Sequence, residues 1–361
     1  MQRIHASDVP EAARLLAIAT AVPDFAIDQR VAEASSRAFF GERMPNYERV
    51  AGVFASTGID RRYSVRPVAW FAEPHGWPDR TAAYVEGASD LFERVARRAL
   101  TAAGLNASAI DAVVTVSSTG VATPSLEARV LPKMGFRPDV ERTPVFGLGC
   151  AGGVTGLALA ARLATARLGT TVLLVAVELC TLAFRADRAT KADVIATSLF
   201  GDGAAAAIVS SDADLPALAT FGGATEHLWN DTLDIMGWDV DDAGLGVMLS
   251  RSLPAFVERR YRTSFNEALE RLHIERAQIG RVVCHPGGTK VLEAIEAALT
   301  LPGGTLDLER RVMRDYGNMS SPTVLFVLER ALAAGLPPTT MLAALGPGFT
   351  ASFVSLEGAA A

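Results

Sequence analysis

The chain has 361 residues, half of them hydrophobic and a fifth charged, enough for a large core in roughly two domains or one duplicated unit. A net charge of -6 excludes the global basic field expected of a nucleic-acid binder, leaving room only for local basic pockets. Three cysteines, Cys150, Cys180 and Cys284, stand outside any CxxC pair, which argues against a zinc site or disulfide framework and for a reducing compartment.

Arg3, Asp8, Glu11, Arg14 and Asp24 interrupt the first thirty residues, unlike a secretory leader, and no apolar run reaches transmembrane length. The expectation is a cytoplasmic chain without membrane insertion. ARLLAIATAVPDFAIDQ reads as a buried strand ending near Pro23, and VAEASSRAFF as the helix after it. Next come an amphipathic helix, the charged turn Asp60-Arg61-Arg62 and a short strand, YSV. The Pro- and Gly-containing segment from Trp70 to Trp77 is predicted to be a loop. ASDLFERVARRALTAAG is an amphipathic helix closed by Gly104, and AVVTVSSTG a buried strand ending on Ser117, Ser118 and Thr119.

This order returns later in FNEALERLHIERAQIGRVVCHPGGTKVLEAIEAAL. Ile110, Val113 and Val114 share their spacing with Ile279, Val282 and Val283, and TTVLLVAVEL has a counterpart in MLAALGPGFTASFV. An internal duplication of βα units follows, with two halves, 1-215 and 216-361, packed as one body without a flexible linker. Residues 221 to 250, rich in Gly and Asp, read as loops and hairpin strands.

VFGLGCAGGVTGLALAARLATARLG, from Val145 to Gly169, places Cys150 at the start of a long helical pattern. Unpaired N–H groups and the positive end of the macrodipole favour an anion there, so the thiol is a candidate nucleophile; a buried structural cysteine is the competing reading. A cysteine nucleophile needs a base or cation beside it. Of five histidines only His285 ends an apolar strand before a glycine pair, whereas His5, His75, His227 and His273 read as solvated surface groups. Asn318, after Gly317 and before a helix beginning near Pro322, supplies a neutral donor for a developing oxyanion, with helix capping as the alternative.

FGLGCAGGVTGL, FGDGAAAAIV, CHPGGTKVLEAIE, YGNMSSPTVLFVLE and GPGFT stand in the order and approximate spacing of the type III polyketide synthases, the chalcone-synthase-like family. The chain resembles that family from about Ile59 to its C-terminus. The resemblance implies an α/β fold, the thiolase-like five-layered αβαβα architecture built from two duplicated halves, assembled as a homodimer. It implies Cys150 as acyl-accepting nucleophile, His285 as the imidazole paired with its thiolate and Asn318 as the carboxamide beside them. Phe200 matches the gatekeeper between a CoA tunnel and a cavity. Substrates would be an acyl-CoA starter and malonyl-CoA, with no metal and no permanently bound cofactor.

At the tunnel mouth, Arg49 matches one of the family's CoA-binding cations, while Gly52 and Ser56 replace two others. Arg61 and Arg62 are expected to be a solvated turn, with compensation for those cations as the alternative. Gly287 and Gly288 are expected to let the backbone approach the pantetheine arm. By the same resemblance the cavity walls fall at Ser118, Thr119, Cys180, Ala183, Trp238, Val247 and the loop Gly346-Pro347-Gly348. Small side chains at Ala183 and Val247 suggest room for an aliphatic starter, whereas Trp238 replaces a glycine of the plant enzymes. The expected reaction is iterative decarboxylative condensation of a fatty acyl starter to an alkylpyrone or alkylresorcinol. Malonyl-only tetrahydroxynaphthalene synthesis and a single condensation of the β-ketoacyl carrier-protein synthase III type are the alternatives.

Overall fold

A computed structural model describes residues 12–185 and 187–358. The first half opens with β1 (Arg14–Ala21), β2 (Phe25–Asp28), α1 (Gln29–Phe40), the short α2 (Tyr47–Ala51) and α3 (Val53–Ser56), and β3 (Arg61–Ser64). It continues through α4 (Trp77–Ala103), β4 (Ala112–Val116), α5 (Leu126–Met134), β5 (Glu141–Val145) and α6 (Gly152–Ala166). It closes with β6 (Thr171–Leu179), α7 (Lys191–Leu199) and β7 (Asp202–Ser210). The second half holds β8 (Ala219–Leu228), β9 (Met236–Asp241), β10 (Gly244–Leu249), α8 (Leu253–Arg271) and β11 (Arg281–Cys284). Then come α9 (Thr289–Leu299), α10 (Asp307–Tyr316), α11 (Thr323–Ala333), β12 (Thr340–Gly346) and β13 (Thr350–Gly358).

Nine strands join in the order β11-β12-β13-β8-β1-β7-β6-β4-β5. Counted outward from the β1/β8 seam, β1-β7-β6-β4 and β8-β13-β12-β11 repeat one pattern: antiparallel, antiparallel, parallel. This is the duplication in backbone form. The seam itself is short, pairing Arg14 with Thr220 and Leu15 with Ala219.

Apolar runs without polar alternation produce strands buried on both faces. Val114, Val172 and Leu174 face a central core shared with α6, α11 and the inner residues Val283, Leu342 and Val354 of the other half. Their neighbours Val113, Leu173 and Val175 point the opposite way, against α4 and α5. In the second half Val282, Met341 and Ala343 likewise pack outward against α8 and α9. Helices thus lie outside each half-sheet and between them, giving the five-layered αβαβα arrangement.

The central layer is close-packed around the chemistry. A Cβ on Gly153 would stand 2.2 Å from the Ser321 carbonyl oxygen, so glycine lets α6 press against the loop that carries Asn318. The helix ending at Gly104 (φ 67°) starts at Trp77, well before the amphipathic stretch seen in the sequence, and the 3-10 turn Val68–Ala72 runs into the start of the predicted loop.

Candidate active site

Cys150 lies in the 3-10 turn Gly149–Ala151 that feeds directly into α6, and it is only 6% exposed. Gly149 takes φ 47°, and a Cβ there would meet Pro347 Cδ at 2.7 Å. The β12–β13 loop therefore clamps the nucleophile turn from the second half. Burial pushes the Cys150 thiol up to about 12, with the Ser320 hydroxyl pulling it down and buried Glu178 pushing it further up. The helix start does not by itself make a thiolate here, because desolvation of a fully enclosed sulfur outweighs the dipole.

His285 follows β11, where its backbone N–H donates to the Ala343 carbonyl at 2.9 Å. It is 4% exposed, and neither ring nitrogen has a hydrogen-bond partner in the protein. Burial pushes the imidazole down to about 3. Burial thus favours the neutral form of both thiol and imidazole. Two orphaned nitrogens in a buried ring are costly unless function requires them.

Asn318 sits beyond Gly317 (φ 70°), with its backbone stitched to the end of α7: Asn318 N–H donates to Leu199 O and Gly201 N–H donates to Asn318 O. Its Oδ1 accepts the Ser320 N–H at 2.8 Å, which fixes the carboxamide orientation, because only the oxygen can accept. Nδ2 donates to the Gly287 carbonyl at 3.3 Å and retains a second N–H. The same glycine borders the imidazole: a Cβ on Gly287 would lie 3.7 Å from His285 Cδ2. His285 and Asn318 therefore converge on Gly287.

Cys150 stands at the junction of two cavities. One, of about 440 Å³, is lined by Cys150, Asn318, Phe200, Gly287, Gly288 and Arg49. The other, of about 250 Å³, is lined by Cys150, Phe200, Ser118, Thr119, Cys180, Trp238, Val247 and Pro347. A third space of about 80 Å³ shares Cys180, Phe200 and Val247 with the second and adds Ala183, Ile27, Phe39, Phe71 and Phe184. Phe200 borders all three.

Several sequence expectations shift. Ala183 lines the small side space and not the main cavity, because the turn Cys180–Ala183 rolls it away from Cys150. Of the Gly346-Pro347-Gly348 loop only Pro347 lines the cavity; Gly346 packs beneath the nucleophile, where a Cβ would meet Ala151 Cβ at 2.6 Å. Arg61 is exposed and pairs with Asp28, but Arg62 is no solvated residue: it is 2% exposed and donates to the carbonyls of Thr197, Ser198 and Phe200. It caps the end of α7 and offers nothing to a phosphate. His75 stacks on Trp70 at 3.7 Å and His227 bonds Glu267 at 2.9 Å, so neither is a free surface group; His5 lies outside the described residues.

Other site residues escaped the sequence reading. Lys191, Arg251 and Lys290 join Arg49 along the larger cavity, and none of the four pairs with a carboxylate among the described residues. Spread over the chain, they carry no linear signal. Glu178, fully buried at the end of β6, accepts the Ser118 N–H at 2.9 Å, the Thr119 hydroxyl at 2.8 Å and the Ser321 hydroxyl at 2.9 Å. Its only signal was a lone acid closing an apolar strand. Ser118 Oγ accepts the N–H groups of Gly147 and Gly149, so it holds the nucleophile loop as well as lining the cavity.

A duplicated five-layered frame with an enclosed thiol at the start of a central helix, where two cavities meet, defines a class, the thiolase-like acyltransferases. Comparison with known proteins narrows it. Residues 71–213 match the N-terminal domain of chalcone and stilbene synthases, and residues 223–357 the C-terminal domain. A Bacillus subtilis protein named for chalcone synthase is 33% identical over 354 residues, covering 94% of this chain and 97% of that one. The 1,3,6,8-tetrahydroxynaphthalene synthase of Streptomyces peucetius is 40% identical over 84% of this chain and 81% of its own. Among solved structures, the 1,3,6,8-tetrahydroxynaphthalene synthase of Streptomyces coelicolor superposes with a TM-score of 0.90 at 27% identity, over 96% of this chain and all of that one. The chain belongs to the chalcone and stilbene synthase family and is a type III polyketide synthase.

Among the described residues no helix is long and apolar enough to cross a membrane.

Proposed function

We propose that this polyketide synthase takes an aliphatic acyl group from CoA onto Cys150, extends it with malonyl-CoA and cyclises it to an alkylpyrone or alkylresorcinol. The observation that carries this reading is the side space beyond Cys180, Phe200 and Val247. Its walls are mostly apolar, among them Ile27, Ala32, Phe39, Val68, Phe71 and Phe184, and suit an alkyl tail. Each methylene buried there contributes ~0.8 kcal/mol.

Cys150 sulfur attacks the thioester carbonyl while His285 takes its proton, and the tetrahedral oxyanion is met by His285 and the free N–H of Asn318. Collapse expels the CoA thiolate, which takes up a proton. Malonyl-CoA then loses carbon dioxide, and the same two groups hold the resulting enolate. Its carbon attacks the Cys150 thioester, forming a carbon–carbon bond and freeing the Cys150 sulfur. Transfer of the lengthened chain back to Cys150 allows the next round. An imidazole must be unprotonated to accept the thiol proton, and burial favours that form of His285 while lowering its basicity, so the transfer is driven by the attack on the bound thioester.

Arg49, Lys191, Arg251 and Lys290 serve the CoA phosphates, and Gly287 and Gly288 leave room for the pantetheine arm. CoA arrives as part of the substrate, and no step calls for a resident cofactor or a metal. Val121 and Phe146, 55% and 59% exposed just beyond the ends of the neighbouring strands β4 and β5, favour a homodimer through that face. We place the protein in the cytoplasm, where CoA thioesters are made and its three free cysteines stay reduced.

The test is incubation with malonyl-CoA and a ladder of acyl-CoA starters, followed by mass spectrometry. Products that carry the alkyl chain are expected. Products from malonyl-CoA alone would instead support the reading favoured by the Streptomyces peucetius relative, which is named for tetrahydroxynaphthalene synthesis.

A further inference from the structure

Two walls of the 250 Å³ cavity come from distant parts of the chain. One is Cys180, which opens the turn Cys180–Ala183; the other is the β9–β10 hairpin, in which Trp238 and Val247 are direct cross-strand partners. A two-stranded hairpin outside the main sheet is marginally stable alone, so its position depends on its tethers. Arg185, two residues past the turn, has a side chain only 3% exposed. Its Nη1 donates to Asp241 Oδ1 at 2.8 Å and its Nη2 to Asp241 Oδ2 at 3.1 Å, a bidentate grip on the tip of the hairpin. The Gly244 carbonyl across the tip accepts from the same Nη1 at 3.4 Å. Asp187 closes the other edge of the guanidinium, at 2.7 and 2.5 Å.

Neighbouring contacts reinforce the join. Arg188 reaches Asp239 on β9 at 3.3 Å and lies across Gly246 of β10, where any Cβ would collide with it. Trp77 Nε1, at the start of α4, donates to the Asp241 carbonyl at 2.9 Å, and Arg80 of the same helix donates to the Leu182 carbonyl in the turn. Arg185 and Arg188 both lie on the segment that leads out of the turn and reach the hairpin by their own side chains; Arg185 is the buried one, at 3% exposed against 20%, and the one with a bidentate grip.

We propose that Arg185, through Asp241, is a positioning residue that fixes the width of the polyketide cavity and so the number of malonyl units added. The inference rests on reading that cavity as the site of chain growth. An intact staple holds the Trp238/Val247 wall against Cys180. A broken one lets the hairpin tip move outward, so that a chain reaches greater length before it fills the space and cyclises.

Asp241→Asn, Arg185→Gln and Arg185→Lys are compared with the parent chain, using hexanoyl-CoA and malonyl-CoA. Three quantities are read: the ratio of products by number of extensions, acylation of Cys150 by intact-protein mass, and the thermal midpoint. Asp241→Asn and Arg185→Gln are expected to raise the share of the longer products by about threefold, with Cys150 still acylated. Arg185→Lys restores part of the parent ratio, since it keeps the charge but not the fork. Should Arg185→Gln fail to fold, Asp241→Asn decides, because Asp241 is 46% exposed and its loss leaves the arginine with Asp187. Lowered thermal midpoints with unchanged product ratios overturn the proposal. Failure of the parent chain to become acylated overturns the reading of the cavity on which it rests.

Discussion

The indole Nε1 of Trp238 donates to the backbone carbonyl of Ser118 at 2.7 Å. Ser118 in turn holds the Gly147 and Gly149 N–H groups, so a cavity wall and the loop bearing the nucleophile meet in one residue. Trp238→Phe keeps most of the ring but leaves that carbonyl unpaired, at a cost of ~1 kcal/mol. Trp238→Gly removes the wall altogether and is expected to lengthen the products. Denaturation midpoints and product masses from both variants check this; identical products in all three proteins would show that the indole does not bound the growing chain.

Cys150→Ala removes the acyl acceptor. Starter loading is expected to vanish while some malonyl-CoA decarboxylation persists, because His285 and Asn318 remain in place. Asn318→Ala loses one oxyanion and enolate donor, and both activities should fall by about 100-fold. Release of carbon dioxide and the intact-protein mass separate the two. An acyl adduct that survives in Cys150→Ala refutes the assignment.

The four cations along the larger cavity bind phosphate in the proposed arrangement, and three of them, Arg49, Arg251 and Lys290, are exposed. Replacing any one by Ala is expected to raise KM for CoA thioesters by about threefold, with kcat nearly unchanged. The effect shrinks as salt rises, since exposed charges are screened. Steady-state kinetics at two ionic strengths would reveal it.

Glu178 is a buried acid whose charge acts on the nucleophile, and burial pushes its carboxyl up to about 7 from an ordinary value of 4.5, against hydrogen bonds from Ser118, Thr119 and Ser321 that pull it down. A folded-state value above the unfolded one means the native protein binds the extra proton. Its contribution to stability is therefore complete below about pH 4.5 and is lost as pH rises toward 7, at no more than ~1.4 kcal/mol per unit. Glu178→Gln mimics the protonated form and can keep the same partners. The stability difference between variant and parent should therefore shift in favour of the variant from pH 5 to pH 7, which urea midpoints would measure.

Phe146→Asp places a charge on the apolar face beyond β5. If that face joins two copies, size-exclusion chromatography will show a shift from dimer to monomer with the far-ultraviolet spectrum unchanged. An unaltered elution volume would move the interface elsewhere.

The local settings of Cys150, His285 and Asn318 were legible in the sequence because each sits in a short run whose spacing sets a strand end, a turn or a helix start. The duplication was legible for the same reason: periodicity and glycine positions are properties of neighbouring residues. Arg62 shows the limit. Its charged surroundings in sequence suggested a wet turn, yet the fold seals it against the end of α7, a contact between residues more than 130 positions apart. Lys191, Arg251 and Lys290 along the larger cavity and the contact of Arg185 with Asp241 were hidden likewise. Ionisation was the least legible of all. The helix start favours a thiolate at Cys150, but the fold buries most of the sulfur and of the imidazole, and desolvation depends on everything packed around a group. Local sequence determined which chemical groups this protein possesses and in what order. Only the tertiary structure decided which of them meet, how wide the cavity between them is and which way burial pushes their ionisation, because distance and burial are set by the whole chain at once.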